Sequence, residues 1–89
     1  MATIAMFYGI IISMFYKDNK QHITPHIHAD YQGQSAVFSI PDGEILAGDF
    51  PPRKLKLVRA WIEIHQEDLL ADWKLAVNGK TIFTIEPLR

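Results

Sequence analysis

The hydrophobic pattern changes period at Pro51-Pro52, and that change divides the chain into two kinds of structure. Before it, apolar residues come in short runs of β-branched and aromatic side chains broken by Gly and polar clusters. After it, Leu55, Val58, Ile62, His65, Leu69, Trp73 and Ala76 recur at steps of three and four. Alternation marks a half-buried strand, and a period near 3.6 marks an amphipathic helix. A proline pair stops a sheet because it gives no N–H to the ladder. It can open a helix, where that N–H has no partner anyway. The pattern predicts an α+β fold: an antiparallel sheet of four or five strands, covered on one face by one long or two shorter C-terminal helices.

Residues 3–8 and 10–16 read as one long strand bent or bulged at Gly9, or as two short strands. Lys17-Asp18-Asn19-Lys20-Gln21 is a polar turn, and residues 26–31 form the next strand. Gln32-Gly33-Gln34 is a tight connection to a strand over 35–40, with Ala36, Phe38 and Ile40 on one face. Pro41-Asp42-Gly43-Glu44 carries turn chemistry, and 44–48 reads as a further short strand. Such short connections suit a meander. In the helical stretch, Trp61, Leu70 and Val77 widen the apolar stripe. His65-Gln66-Glu67-Asp68 offers a place for a break, and Asn78-Gly79 is a C-terminal stop. Thr81-Ile82-Phe83-Thr84-Ile85-Glu86 reads as a last strand.

A chain of 89 residues is expected to form a single domain over 1–89. Its hydrophobic content of 48% fits a globular protein with a core and argues against disorder. With no cysteine, disulfides, zinc-thiolate sites and thiol catalysis are excluded. A formal net charge of −1 weighs against a dedicated nucleic-acid binder, which carries a basic excess. The apolar run from Ile4 to Tyr16 is shorter than the roughly 20 residues of a membrane helix. It has neither the positive leader nor the small-residue cleavage site of a signal peptide. The expectation is a cytoplasmic protein without a membrane partner.

The candidate chemistry lies in Pro25-His26-Ile27-His28-Ala29-Asp30-Tyr31. On a strand, His26, His28 and Asp30 share one face while Ile27, Ala29 and Tyr31 share the other. Two imidazoles two residues apart stand roughly 6.5–7 Å from each other along the strand, within reach of one zinc ion. Asp30, His22, Asp18 or His65 would have to supply a third ligand. Without a metal, an imidazole pair supplies one base and one acid near neutral pH, which is the equipment for cleaving an RNA phosphodiester. The plain alternative is that both histidines are surface residues or hydrogen-bond their neighbours. His65 falls in the apolar stripe and reads as a partly buried core residue. Trp61 and Trp73 read as core anchors. Ser13, Ser35 and Ser39 can share the histidine face, but no nucleophile-elbow context surrounds them.

Charges are sorted along the helical stretch. Arg53, Lys54, Lys56 and Arg59 lie in its first half, and Glu63, Glu67, Asp68 and Asp72 in its second. In one continuous helix this order opposes the macrodipole. An Arg59–Glu63 pair at i,i+4 would recover a few tenths of a kcal/mol. These charges, Asp72 included, are either a solvated face with tolerated frustration, or the basic cluster is a patch for an anionic partner. If the helix starts near the histidine strand, Arg53, Lys54 or Arg59 can stabilise the charge of a pentacoordinate phosphate.

These residues carry a resemblance. Thr3-Ile4 with Phe7-Tyr8-Gly9-Ile10-Ile11-Ile12, the Pro25–Tyr31 motif, Pro51-Pro52-Arg53 with Leu55, Val58, Trp61 and His65, and Trp73, Ala76, Asn78-Gly79 and Ile85-Glu86-Pro87-Leu88 together resemble a small bacterial family with a domain of unknown function, number forty-one sixty. The central family motif is Pro-His-aromatic-His-Ala-acidic-Tyr. This chain has Ile27 at the aromatic position and Thr24 where another proline is common. The resemblance implies a gene arrangement similar to a toxin–antitoxin pair, with a small cognate protein as partner. It also implies a size and element order similar to compact ribonuclease-type toxins, although those are strongly basic.

The expected function is that of the toxin-like member of such a module, acting on RNA through His26 and His28, with Arg53, Lys54 and Arg59 binding phosphate or the partner. No cofactor is expected, and a homo-oligomer is compatible with the sequence. Two alternatives stand beside it. One is a non-enzymatic interaction or regulatory module using the same patch. The other is a small metal-binding protein using His26, His28 and Asp30.

Overall fold

A computed structural model describes residues 2–14 and 24–88. Five strands lie side by side in chain order: β1 (Ala2–Phe7), β2 (Ile10–Met14), β3 (His26–Tyr31), β4 (Gln34–Ser39) and β5 (Ile45–Gly48). Every neighbouring pair is antiparallel. Two helices follow, α1 (Pro52–Ile64) and α2 (Gln66–Val77). The fold is the expected α+β meander with C-terminal helices. The polar turn expected at residues 17–21 and the strand end at Phe15 and Tyr16 lie outside the described residues.

Gly9 belongs to a turn between two strands. Tyr8 and Gly9 both have positive φ, 51° and 79°, as do Gln32 and Gly33 at 45° and 84°. Two-residue loops with both central residues left-handed match the twist of an antiparallel pair, and glycine adopts that region without steric cost. A register shift does occur in β1, between Thr3 and Ala5.

Strand alternation sends Ile10, Ile12, Met14, Ile27, Ala29, Ala36 and Phe38 to one face, where all are buried. Val58, Trp61, Ile62, Leu69 and Trp73 of the helices complete this core. The other face carries Ile11, Asp30 and Ser35 in register, all exposed.

The helical stretch breaks at His65, whose φ of −112° and ψ of 29° leave the helical region. The break resolves half of the apparent charge frustration. Glu67 and Asp68 stand in the first turn of α2 and Lys74 in its last, which is the favourable order for a helix dipole. Only α1 keeps the unfavourable start, with no acidic residue in its first turn. The Arg59–Glu63 pair does not form: Arg59 instead donates its Nε–H to the Gly43 carbonyl at 2.8 Å, tying α1 to the β4–β5 turn.

Three other expectations need correction. Leu70 and Val77 do not widen the core stripe; they are 39% and 43% exposed. Asp72 is not on a solvated face but 3% exposed. The cause is angular. At about 100° per residue, Asp72 lies three after Leu69 and four before Ala76, inside the buried arc, while Leu70 and Val77 each stand one step outside it. Nor do residues 81–86 form a strand. After α2 closes with Gly79 N–H to the Ala76 carbonyl (3.0 Å) and Lys80 N–H to the Leu75 carbonyl (2.8 Å), the chain crosses the helices. Phe83 N–H donates to Asp72 Oδ1 (3.1 Å), Ile85 N–H to the Ile4 carbonyl (2.8 Å), and Trp61 Nε1–H to the Glu86 carbonyl (2.7 Å). Two of these backbone groups are thus spent on helix side chains, and only Ile85 among them bonds to β1.

Two stability predictions follow from this geometry. Gly33 and Gly48 share a φ of +84°, but a Cβ on Gly48 would collide with the Ser35 carbonyl oxygen, whereas one on Gly33 meets nothing within 4 Å. In urea melts, Gly48→Ala is expected to cost about 2 kcal/mol or more and clearly exceed the cost of Gly33→Ala; equal losses would refute a close approach of β4 and β5.

The second concerns Asp72. Burial pushes its carboxyl above the ordinary aspartate range, the Phe83 amide opposes this more weakly, and Asp68 adds to the rise. The folded protein therefore holds this proton more tightly than the unfolded chain. That stabilising contribution is complete below the ordinary aspartate value and is lost as pH rises through the raised one. The difference in unfolding free energy between wild type and Asp72→Asn should shift in favour of the Asn variant between pH 4 and pH 7. A difference that stays constant, or moves the other way, contradicts the assignment.

Candidate functional site

β3 places its six residues as the alternation demands, with one exception. Ile27 and Ala29 are fully buried, His28 is half-buried and Asp30 is exposed. His26, expected on the wet face, is only 3% exposed. Its ring lies 4.8 Å from that of Trp73 on α2 and 5.4 Å from that of His28. The imidazole pair is thus real, with its rings closer than the strand rise alone would set them. One ring is packed against a helix and the other faces outward.

His26 Nδ1 lies 2.8 Å from the Thr24 carbonyl oxygen. A carbonyl can only accept, so Nδ1 carries the proton and in the neutral ring Nε2 is the basic nitrogen. The short approach through Thr24 and Pro25 therefore sets both the orientation of the ring and its tautomer.

The register brings the three serines beside this row. Ser13 pairs with His28, Ser35 with Asp30 and Ser39 with His26. Ser39 Oγ accepts the Glu44 N–H at 3.1 Å and so serves the β4–β5 turn. His28, Ser35, Ala36, Val37, Ala47 and Gly48 line a groove of about 190 Å³. It lies beside a register shift between Val37 and Phe38, where the backbones of β4 and β5 approach closely at Gly48. Bulges re-aim side chains next to binding sites, and this one opens the surface beside His28.

The basic residues are elsewhere. Lys54 Nζ is 3.5 Å from the Tyr8 carbonyl oxygen and 4.9 Å from the Tyr31 ring centroid. Arg53 and Lys54 border a cavity of about 640 Å³ with Tyr31, Pro51 and Pro52. Tyr31 ends the strand that His26 begins, so at about 3.3 Å per residue some 16 Å of β3 separates them. Tyr31 also packs against the core, on the face opposite His28 and Asp30. The structure brings His26 and His28 together, and separately Arg53 and Lys54. It does not bring the two sets together, and Arg59 is engaged at the Gly43 turn.

Among the described residues, no three His, Cys, Asp or Glu side chains gather as metal ligands. His65 sits at the helix break, 5.5 Å from Trp61 by ring centroids and 3.9 Å from Asp68, as a partly buried residue. His22 and Asp18 lie outside the described residues. No helix among the described residues is long and apolar enough to cross a membrane.

A family model described as a domain of unknown function (DUF4160) matches residues 9–74. The chain belongs to this family. The DUF4160 span runs from the first hairpin turn into α2, so it holds both histidines, the basic cluster and Trp73. Neither the curated proteins nor the solved structures give a match.

Sequence reasoning missed two features of this candidate site: the Trp73 ring against His26, and the groove at Gly48. Trp73 was visible only as a core anchor, since nothing in a helical period says which strand end it meets. The assigned tautomer is open to test. At pH 8, two-bond ¹⁵N–¹H NMR correlations should show His26 with a protonated Nδ1 and a bare Nε2; the reverse pattern would contradict the Thr24 bond.

Proposed function

We propose that this DUF4160 protein is the toxin-like member of a toxin–antitoxin-type module, held by a small cognate protein and acting on an RNA phosphodiester at His28. The observation that supports it most is the imidazole pair itself, with His26 fixed by Thr24 and His28 at the wall of an open groove. A substrate strand laid along the open sheet face meets His28 before His26, because His26 is nearly buried. In this reading His28 takes the proton of a 2′-hydroxyl as its oxygen bonds to phosphorus. The 5′ oxygen then leaves with a proton returned by the imidazolium. His26 is a positioning residue for that ring. Arg53 and Lys54, at the far end of β3, would hold flanking backbone.

The distance between the two sets favours a second reading, in which the same face docks a protein and performs no chemistry. One experiment separates them. Wild type, His28→Ala and the His26→Ala/His28→Ala double variant are induced in a bacterial host that lacks an antitoxin-like partner, with folding checked by circular dichroism. Growth arrest and RNA fragmentation with wild type only, while affinity for the cognate small protein survives in His28→Ala, is the expected result. Loss of affinity in step with loss of function would favour docking. Unaffected growth with folded wild type would overturn the toxin reading.

A further inference from the structure

α2 has two working faces. Its inner arc, with Leu69, Asp72 and Trp73, is buried. Its outer arc carries Leu70 and Val77, both exposed and seven residues apart. Seven residues at 1.5 Å put them about 10.5 Å apart on one line of the helix, the repeat at which two packed helices meet. Beside this line lies a groove of about 830 Å³, lined by Leu70, Ala71, Lys74, Leu75, Asn78 and Lys80. Its far wall is built rather than loose. The Lys80 N–H is bonded to the Leu75 carbonyl, and the Asn78 Nδ2–H to that of Lys74 at 2.9 Å.

The groove has an apolar floor of Leu70, Ala71 and Leu75 and two ammonium groups at its rim, and none of its lining residues is acidic. Of the carboxylates on the same helix, Asp72 is buried on the inner arc, and Glu67 and Asp68 stand in the first turn. We infer that this groove receives an amphipathic helix of a partner protein, apolar on the facing side and carrying Asp or Glu where it passes Lys74 and Lys80. Laying an apolar helix face into a hydrophobic groove is a recurring recognition mode, and complementary charge sets its direction. Biologically the inference names where the cognate protein of the module above would sit, and it rests on that reading. Its test uses neither growth nor RNA, so the two can fail separately.

The test titrates the full ¹⁵N-labelled chain with two synthetic helices of about 18 residues, long enough to span the line of Leu70 and Val77. They share a Leu/Ala face and differ only in flanking Glu or Lys. The Glu peptide is expected to shift the amides of residues 70–80 and to bind at least about tenfold more tightly than the Lys peptide at low salt. Leu70→Lys/Val77→Lys should abolish binding with the fold intact, since both side chains are exposed. Lys74→Glu/Lys80→Glu should reverse the preference toward the Lys peptide. Equal affinity for both peptides, no binding of either, or shifts centred elsewhere would overturn the proposal. So would concentration-dependent shifts of these amides without peptide, which would make a second copy the occupant.

Discussion

Trp61 is the point through which the parts of this fold are connected. It is fully buried on α1, tilted against Phe7 of β1 at 5.4 Å and against His65 at the helix break. Its indole N–H, a donor that must find an acceptor once buried, is satisfied by the Glu86 carbonyl. One side chain of α1 thus joins the first strand, the helix break at His65 and the C-terminal segment. The hydrogen bond matters for placement as much as for energy. It fixes where the chain passes after α2, and from there the Phe83 amide reaches Asp72 and the Ile85 amide reaches β1. An apolar side chain there, lacking the N–H, would leave that segment with one fewer reason to lie where it does.

The same packing decides what the histidine pair can do. Trp73 closes over His26, so the row of polar residues on the open sheet face is not uniformly wet. Its first imidazole is enclosed and held in one tautomer, and its second is accessible beside the Gly48 groove. Chemistry at such a site must pass through His28. Arg53 and Lys54 are kept away by topology, not by distance along the sequence alone. α1 starts beside the two hairpin turns at one end of the sheet, whereas His26 begins β3 at the other. Lys54 sits at Tyr31, three residues or about 10 Å of strand from His28 and toward the other face, a weak stabiliser of one phosphorus atom at His28.

Much of this was legible because period and turn chemistry report backbone geometry directly. The switch at Pro51-Pro52, the strand at 26–31, the face shared by Ala36 and Phe38, and the serines beside the histidines all follow from alternation and register. The family match over residues 9–74 agrees with the resemblance that the sequence carries. The failures share one cause: they depend on which element meets which in three dimensions. The burial of His26 depends on Trp73, some 47 positions later in the chain. Residues 81–86 have strand composition, yet their neighbourhood bonds to Asp72 and Trp61, with a single bond to β1 at Ile4 in place of a ladder. Leu70 and Val77 have the spacing of a widened apolar stripe, but a helix offers a single arc to one sheet.

The exposure of Leu70 and Val77 bears on function. A helix with apolar residues beyond its buried arc has either surplus hydrophobicity or a second surface to match, and the basic rim at Lys74 and Lys80 gives the outer arc of α2 a chemical character of its own. α2 is then the element that touches both surfaces, with Trp73 against His26 inside and the groove outside. The two sites lie one helix diameter apart, about 10 Å. Proximity does not couple them, however. An occupant of the groove alters His26 only if it binds two positions of α2 unequally, because a ligand shifts an equilibrium by no more than its differential affinity. The break at His65 is where such a second position would have to be generated. It is the one place in the helical stretch where the chain leaves helical geometry, and His65 there rests against the buried ring of Trp61. Movement of α2 about that point would have to disturb the hub as well, so a partner in the groove acts on the histidine row either by blocking access to the sheet or at the expense of the core.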